Sequence, residues 1–312
     1  MQNGDFSEEG VQEVSNGSFS QEGVELVTNG SFDTGSNWNI GTNWSVENGK
    51  ATSSGSNFSA SVYQSISSQT NKIYRVEIEV SDYVSGTLRV VNRGNFVELP
   101  QSNGVHTVYL NTSSSSDNFL YLEARPFIGS IDNVSVREVG QDWNISSGAS
   151  VGENKLDIDA GAFDFFATQS ALTNGLTYKV TLDAEVTSGD ILLYTGTQFA
   201  TIGSTGTYAF YTTSDAAQIR FRSSGSALVG SITNISVKEV GQNWTLVNAT
   251  IGNDLVLLDA DSGNSQITQS NLGSTNSTSK LITFTTISSS DEVNQILRVS
   301  QNIAGTSINI YT

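Results

Sequence analysis

The chain has no cysteine, two prolines, one methionine and one histidine among 312 residues. The missing cysteine excludes disulfides, thiol nucleophiles and thiolate metal sites. A secreted eukaryotic sandwich would often carry disulfides. The single histidine, His106, lies in Gly104-Val-His-Thr-Val-Tyr109, where a later repeat has Tyr208, and it reads as an ordinary strand residue. A nucleophile elbow, phosphate-cradling loop, zinc spacing and dinucleotide fingerprint are all lacking. Paired acids can hydrolyse glycosides, but nothing in the sequence places two across a cleft, so no catalysis is expected. The Ala, Leu, Glu, Lys and Arg runs that long helices need are also missing. No apolar run approaches membrane-spanning length. The start, Met1-Gln-Asn-Gly-Asp5, lacks the basic and apolar regions of a secretion signal. Positive charge is scarce: 14 Lys and Arg stand against 31 Asp and Glu, for a net charge of −17. That balance argues against nucleic acid, whose phosphates would be repelled. It favours solubility, cation binding or docking onto a basic surface.

What is present points to β structure. There are 29 glycines, many Ser, Thr and Asn, and 9% aromatic residues. Turns are therefore frequent, and several small cores can be filled. Tyr74, Val76, Ile78 and Val80 alternate with polar residues, as do Tyr178, Val180, Leu182, Ala184 and Val186. Such alternation marks strands with one wet face. Further strands are expected near 87–92, 105–110, 118–124 and 131–139. Many short strands separated by turn-rich linkers predict sandwiches.

Two repeats are nested. Asn3-Gly-Asp-Phe6 begins a thirteen-residue unit that recurs from Asn16-Gly-Ser-Phe19 and restarts at Asn29-Gly-Ser-Phe32-Asp33. Asn-Gly is a strong turn signal, and one short strand fits between turns. Such a unit cannot bury a core alone. Three chains winding together, an arm laid along another protein, or a disordered leader would each accommodate it. The longer repeat, near a hundred residues, carries Gly129-Ser-Ile-Asp-Asn-Val-Ser-Val136 through Trp143, then Gly230-Ser-Ile-Thr-Asn-Ile-Ser-Val237 through Trp244. Gln64-Ser, Gln169-Ser and Gln269-Ser align, and so do Phe96 and Phe199. The expected organisation is a repeat arm or stalk at 1–28, jelly-roll sandwiches at 29–139 and 140–240, and a truncated third unit at 241–312. The third unit is completed by another chain, or it is a smaller variant.

The pairing of Asn29-Gly-Ser-Phe32-Asp33 with Ile131-Asp-Asn-Val-Ser-Val136 resembles carbohydrate-binding modules of the galactose-binding-like jelly-roll type. The resemblance covers 24–139 well and 140–240 in part. The stuttered Asn-Gly-Ser-Phe leader joined to such modules resembles structural proteins of marine tailed phages. The first resemblance implies a structural calcium between Asp33 and Asp132. Asp132, in phase with Val134 and Val136, is expected on the core side, where a carboxylate needs a cation or several donors. A hydrogen bond to a turn is the alternative. The same resemblance implies glycan stacking, with Trp44, Tyr83, Arg93, Phe96, Tyr194 and Phe199 as candidates. Matched aromatics such as Phe96 and Phe199 are also typical core residues. Trp38, Trp143 and Trp244 recur at each unit start and read as packing residues that seal inter-domain junctions, and Phe163, Phe165 and Phe166 fit either role. The expected function is a non-enzymatic virion structural protein, a fibre or capsid-decoration protein at the virion surface. It would anchor to a capsid or tail partner through the arm, form a homo-oligomer (a trimer first), and enter no membrane. A glycan-binding adhesin is the alternative.

Overall fold

The computed structural model describes residues 7–55, 60–146, 148–242, 244–247, 249–252, 255–258 and 266–268. Every regular element among them is a strand. A short strand, β1 (Glu9–Gln12), precedes the first sandwich. That sandwich comprises β2 (Asn39–Ile40), β3 (Trp44–Glu47), β4 (Lys50–Ser54), β5 (Ala60–Ser65), β6 (Ile73–Asn92), β7 (Asn95–Glu98), β8 (Gly104–Asn111) and β9 (Phe119–Val139). All pairings are antiparallel.

The strands expected at 118–124 and 131–139 form one continuous element, β9, and β6 likewise joins two expected strands. Each long strand serves both layers. The first half of β6 and the second half of β9 lie beside β8 and β4; the other halves lie beside β7 and β5. The change of layer falls at a bulge. Asp82 (φ 54°) and Gly86 (φ 81°) take left-handed conformations, and a Cβ on Gly86 would stand 2.1 Å from the Pro126 carbonyl oxygen. Only glycine allows that approach. Thr87 pairs with both Arg125 and Pro126, so the proline sits where the ladder is already interrupted. The alternating residues Tyr74, Val76, Ile78 and Val80 are buried as their phase predicts.

The second sandwich comprises β10 (Asn144–Ile145), β11 (Ala149–Gly152), β12 (Lys155–Ala160), β13 (Phe165–Gln169), β14 (Thr177–Ser188), β15 (Ile191–Tyr194), β16 (Gln198–Ile202), β17 (Gly206–Thr213), β18 (Ile219–Ser223) and β19 (Leu228–Val240). One sheet runs β11-β12-β19-β14-β17, with β1 also on β19, and the other runs β10-β13-β18-β15-β16. Each sandwich has its own buried cluster, centred on Tyr74, Leu122 and Phe127 in the first and on Tyr178, Leu156 and Phe221 in the second.

The third unit restarts the same plan. β20 (Thr245–Val247) pairs with β23 (Gln266–Thr268), and β21 (Ala249–Gly252) pairs with β22 (Leu255–Leu258). These repeat the β10–β13 and β11–β12 pairings. The Trp244 N–H donates to the Gly241 carbonyl at 3.0 Å, as Trp143 does to Gly140 at 3.3 Å. Completion of this unit in cis or in trans concerns residues outside those described.

Over its described part, the segment expected as an arm at 1–28 packs into the sandwiches, in reverse order. β1 pairs with β19 of the second sandwich, and Val14 and Phe19 enter that core. The next copy runs along β9: Glu22 bridges to Val139, the Leu26 N–H donates to the Val136 carbonyl at 3.0 Å, and Val27 and Phe32 enter the first core. Corresponding residues make corresponding bonds. Glu9 pairs with Lys179 and Lys238 at 2.6 and 2.9 Å, whereas Glu22 pairs with Arg75 and Arg137, both at 3.4 Å. Phe19 stacks near Trp143 with ring centroids 5.5 Å apart, and Phe32 on Trp38 at 4.9 Å. Trp38 and Trp143, expected to seal junctions between domains, thus lie just before β2 and β10 and pack in the core of the sandwich each one opens. Val14, Phe19, Val27 and Phe32 of these segments are buried in their own chain, whereas Val11 and Val24 stay 77% and 79% exposed.

Candidate ligand-binding faces and an acidic site

The outer faces of β5, β9, β6 and β7, and of their counterparts β13, β18, β15 and β16, carry several planar side chains that do not enter a core. On β9, Leu120, Leu122 and Ala124 point inward, so Phe119, Tyr121, Glu123 and Arg125 point outward by strand alternation. Register places Tyr63 opposite Tyr121, Tyr121 opposite Val91, and Val91 opposite Phe96. Tyr63 and Tyr121 are 5.2 Å apart between ring centroids, and Phe119 lies edge-on to Tyr63 at 5.8 Å. Phe96 is 54% exposed, with the Arg89 guanidinium 4.1 Å above its ring. The arginines of this face are neutralised, Arg89 by Glu98 at 2.7 Å and Arg125 by Glu123 at 2.8 Å.

The matching face of the second sandwich differs in charge. On β18, Ile219, Phe221 and Ser223 are buried, leaving Arg220 and Arg222 outside. Arg222 sits opposite Phe165 and Leu192; Arg220 sits opposite Thr168 and Tyr194. Arg220 lies 4.6 Å from the Phe165 ring and 5.9 Å from Tyr194. Arg222 lies 5.1 Å from both Phe163 and Phe165. Phe163 and Phe165 are 58% and 38% exposed. Phe166, which the sequence left open between core and surface, is fully buried.

The sequence-derived stacking candidates therefore separate. Trp44 is buried, stacked on Phe127, with its indole N–H donating to the Ala60 carbonyl at 3.2 Å; neither ring face is open to a ligand. Tyr83 leans on Phe127 and donates its hydroxyl to the Gly86 carbonyl at 3.0 Å. Arg93 clamps two loops through the Ser68 and Ser115 carbonyls, which occupies its fork. Phe199 packs against the core beside Phe210. Phe96 and Tyr194 remain on the outer faces. Tyr63, Phe119, Tyr121, Arg220 and Arg222 were not singled out from the sequence, although alternation against Leu120, Leu122 and Phe221 marks all but Tyr63 as outward.

The acidic site departs from its expected phase. A bulge at Asn133 (φ 51°) resets β9, so Ile131 and Val134 are both buried and Asp132 turns to the outer side. There its carboxylate accepts the Asn133 N–H at 2.6 Å, while the Asn133 side chain donates to Glu79 at 2.8 Å. Partial burial pushes the Asp132 carboxyl above its ordinary range. The Glu79 and Asp33 carboxylates add to that, against the Asn133 N–H and the Lys50 charge. Asp33 is exposed and accepts the Ser31 hydroxyl at 2.8 Å. Among the described residues no three His, Asp or Glu side chains are grouped as a metal ion requires. The second sandwich keeps the bulge without the acid: Asn234 (φ 53°) donates to Asp183 at 2.7 Å, and Thr233 takes the Asp132 place.

His106 lies on β8 with Nε2 2.7 Å from the Ser102 carbonyl. Two shallow clefts, of about 460 and 360 Å³, lie beside the docked N-terminal segments, one at Ser15, Asn144 and Gln169 and one at Phe19, Tyr109 and Glu153.

No protein-family model matches the chain, and no curated protein matches it. Among solved structures it is similar to the N-terminal CBM22-1–CBM22-2 tandem domain of Paenibacillus barcinonensis Xyn10C, at 10% identity and TM-score 0.26, over 70% of this chain and 99% of that one. It is also similar to a chain of Sulfolobus Turreted Icosahedral Virus, at 13% identity and TM-score 0.21, over 67% of this chain and 62% of that one. A third similarity, to a chain of an archaeal virus turret with a triple jelly-roll fold, has 12% identity and TM-score 0.21, over 68% of this chain and 61% of that one.

Proposed function

We propose that this chain is a non-enzymatic structural protein of a virion surface, of the fibre or decoration type, in which the sandwiches act as a braced spacer. The observation that carries this reading is the double junction between the sandwiches. They are joined once through Val139–Trp143 and again by the N-terminal segment, which leaves the second core at Phe19 and meets the first sandwich at Glu22. The Tyr109 hydroxyl of the first sandwich also accepts the Glu153 N–H of the second at 2.8 Å, and Ile73 and Val139 pack into the second core. Two covalent crossings and a shared apolar contact resist hinge motion better than a single linker does. A spacer needs that property. Immunogold electron microscopy of purified particles with an antibody to this chain tests the reading. Labelling at the particle surface is expected, and particles free of the chain contradict it.

A second reading, glycan recognition, is favoured by a separate observation: both sandwiches expose planar side chains on the same outer face. Sugars stack on such rings. A glycan array with the whole chain tests it, and reproducible binding that is lost in Tyr63→Ala or Phe165→Ala supports it.

A further inference from the structure

We propose that the outer face of the second sandwich, around Arg220 and Arg222, binds acidic carbohydrate: a sugar ring carrying a carboxylate or a sulfate ester. The proposal rests on the glycan-recognition reading and adds the ligand's charge.

The contrast between the two faces carries it. Of the arginines on these faces, Arg89 and Arg125 have carboxylates at 2.7 and 2.8 Å. Arg220 and Arg222 have none within 4 Å among the described residues. This is notable in a chain of net charge −17, with 31 acids for 14 bases. Each guanidinium makes one bond to backbone, Arg220 to the Gly196 carbonyl at 3.2 Å and Arg222 to the Phe163 carbonyl at 2.9 Å. Those bonds fix the two groups and leave other N–H donors unused. The Arg220 Nε is buried without a partner. The Arg220 charge helps to lower the Asp215 carboxyl, which is held chiefly by the Thr197 N–H at 3.0 Å.

Stacking on Phe163, Phe165 and Tyr194 holds the guanidinium planes, and fixed forks are suited to planar or tetrahedral oxyanions. The exposed rings of Phe163 and Phe165 beside them offer a face for the C–H side of a sugar ring. An inorganic anion would use the arginines and ignore the rings; an apolar ligand would do the reverse. A charged sugar uses both. Gln198 extends the same row, accepting from the Tyr194 hydroxyl at 3.2 Å and donating to Thr201 at 2.9 Å. The acidic remainder of the molecule does not prevent binding, because at physiological ionic strength repulsion is screened beyond about 8 Å.

The test is affinity electrophoresis and calorimetry of the whole chain with polygalacturonate, dextran sulfate, neutral dextran and inorganic polyphosphate. Polygalacturonate and dextran sulfate separate the carboxylate from the sulfate source. Binding of at least one of them is expected, with a loss of tenfold or more in Arg222→Gln and in Arg220→Gln/Arg222→Gln. Phe163→Ala, at an exposed ring, is expected to weaken binding severalfold without altering folding, so the test does not depend on how Arg220 variants fold. Absence of binding to both acidic polymers overturns the proposal. So does undiminished binding by the folded arginine variants, or binding of polyphosphate as tight as that of the sugars and indifferent to Phe163→Ala. Neutral-glycan binding that depends on Tyr63 or Tyr121, with no response to acidic polymers, overturns this proposal and leaves glycan recognition standing. Absence of binding to any glycan removes both.

Discussion

Gln64 and Gln169 are buried amides, 4% and 6% exposed, and each makes a paired bond to the backbone of an N-terminal segment. Gln169 accepts the Ser15 N–H at 2.7 Å and donates to the Ser15 carbonyl at 3.0 Å; Gln64 does the same to Thr28 at 3.0 and 3.1 Å. Truncating Gln169 to Ala leaves two backbone groups unpaired and is expected to cost about 2–3 kcal/mol, measured by denaturant unfolding. The Gln-Ser landmark was legible in the sequence as a repeat, but its purpose was not, since the bonded partner lies 154 residues away for Gln169 and 36 residues away for Gln64. Burial raises the Glu25 carboxyl, but the Ser135 hydroxyl, the Val136 and Val27 N–H groups and Arg137 outweigh it and hold it below its ordinary value. A depressed carboxyl adds stability above its unfolded pKa, about 4.5, that is lost as pH falls through the folded value. Glu25→Gln, which copies Gln12 of the preceding repeat, is expected to remove that share of the acid dependence and to cost about 1 kcal/mol or less at pH 7. Asp132 has the opposite sign. Its raised carboxyl contributes stability below the unfolded pKa, about 3.8, that is lost as pH rises through the folded value. Asp132→Asn should therefore raise Tm at pH 7 in chelator and leave it unchanged at pH 3. A fall in Tm for this variant only when calcium is present would instead identify Asp132 as a calcium ligand.

At the scale of elements, the thirteen-residue segment works as a strand ending in a strained turn. Asn16 and Phe19 have φ of 49° and 55°, and Asn29 and Phe32 have φ of 56° and 48°. A phenylalanine in this region is costly, and burial of its ring against a tryptophan offsets the strain. The glycine between them is obligatory, because a Cβ on Gly17 would stand 2.0 Å from the Ile235 carbonyl oxygen and one on Gly30 the same distance from that of Val134. Gly17→Ala is expected to undock its segment at a cost of about 2 kcal/mol or more. Phe19→Ala should cost about 3–5 kcal/mol, with hydrogen exchange accelerating in β19 and β14 before β9; Phe32→Ala should reverse that order. Strand identity and burial phase were legible from alternation over Tyr74–Val80 and Tyr178–Val186. Phase failed at Asp132, where the bulge at Asn133 shifts every later side chain by one face. The docking of the repeats was invisible for a related reason: a segment with few apolar residues shows its period, not its partner.

Over the whole molecule, two series run in opposite directions. The Asn-Gly-x-Phe copies ending at Phe32 and Phe19 serve the sandwiches opened by Trp38 and Trp143. Asn3-Gly-Asp-Phe6 and Trp244 are the next members of the two sequence series. The central claim is the reversed order itself. The chain has no native cysteine, so pairs can be introduced cleanly. Gln12 lies directly opposite Lys238 on β19, whereas docking in chain order would set it near Arg137 on β9. Gln12→Cys combined with Lys238→Cys should form an intramolecular disulfide under mild oxidation, detected by peptide mapping, and Gln12→Cys with Arg137→Cys should not. Cross-linking of the second pair in place of the first would contradict the account.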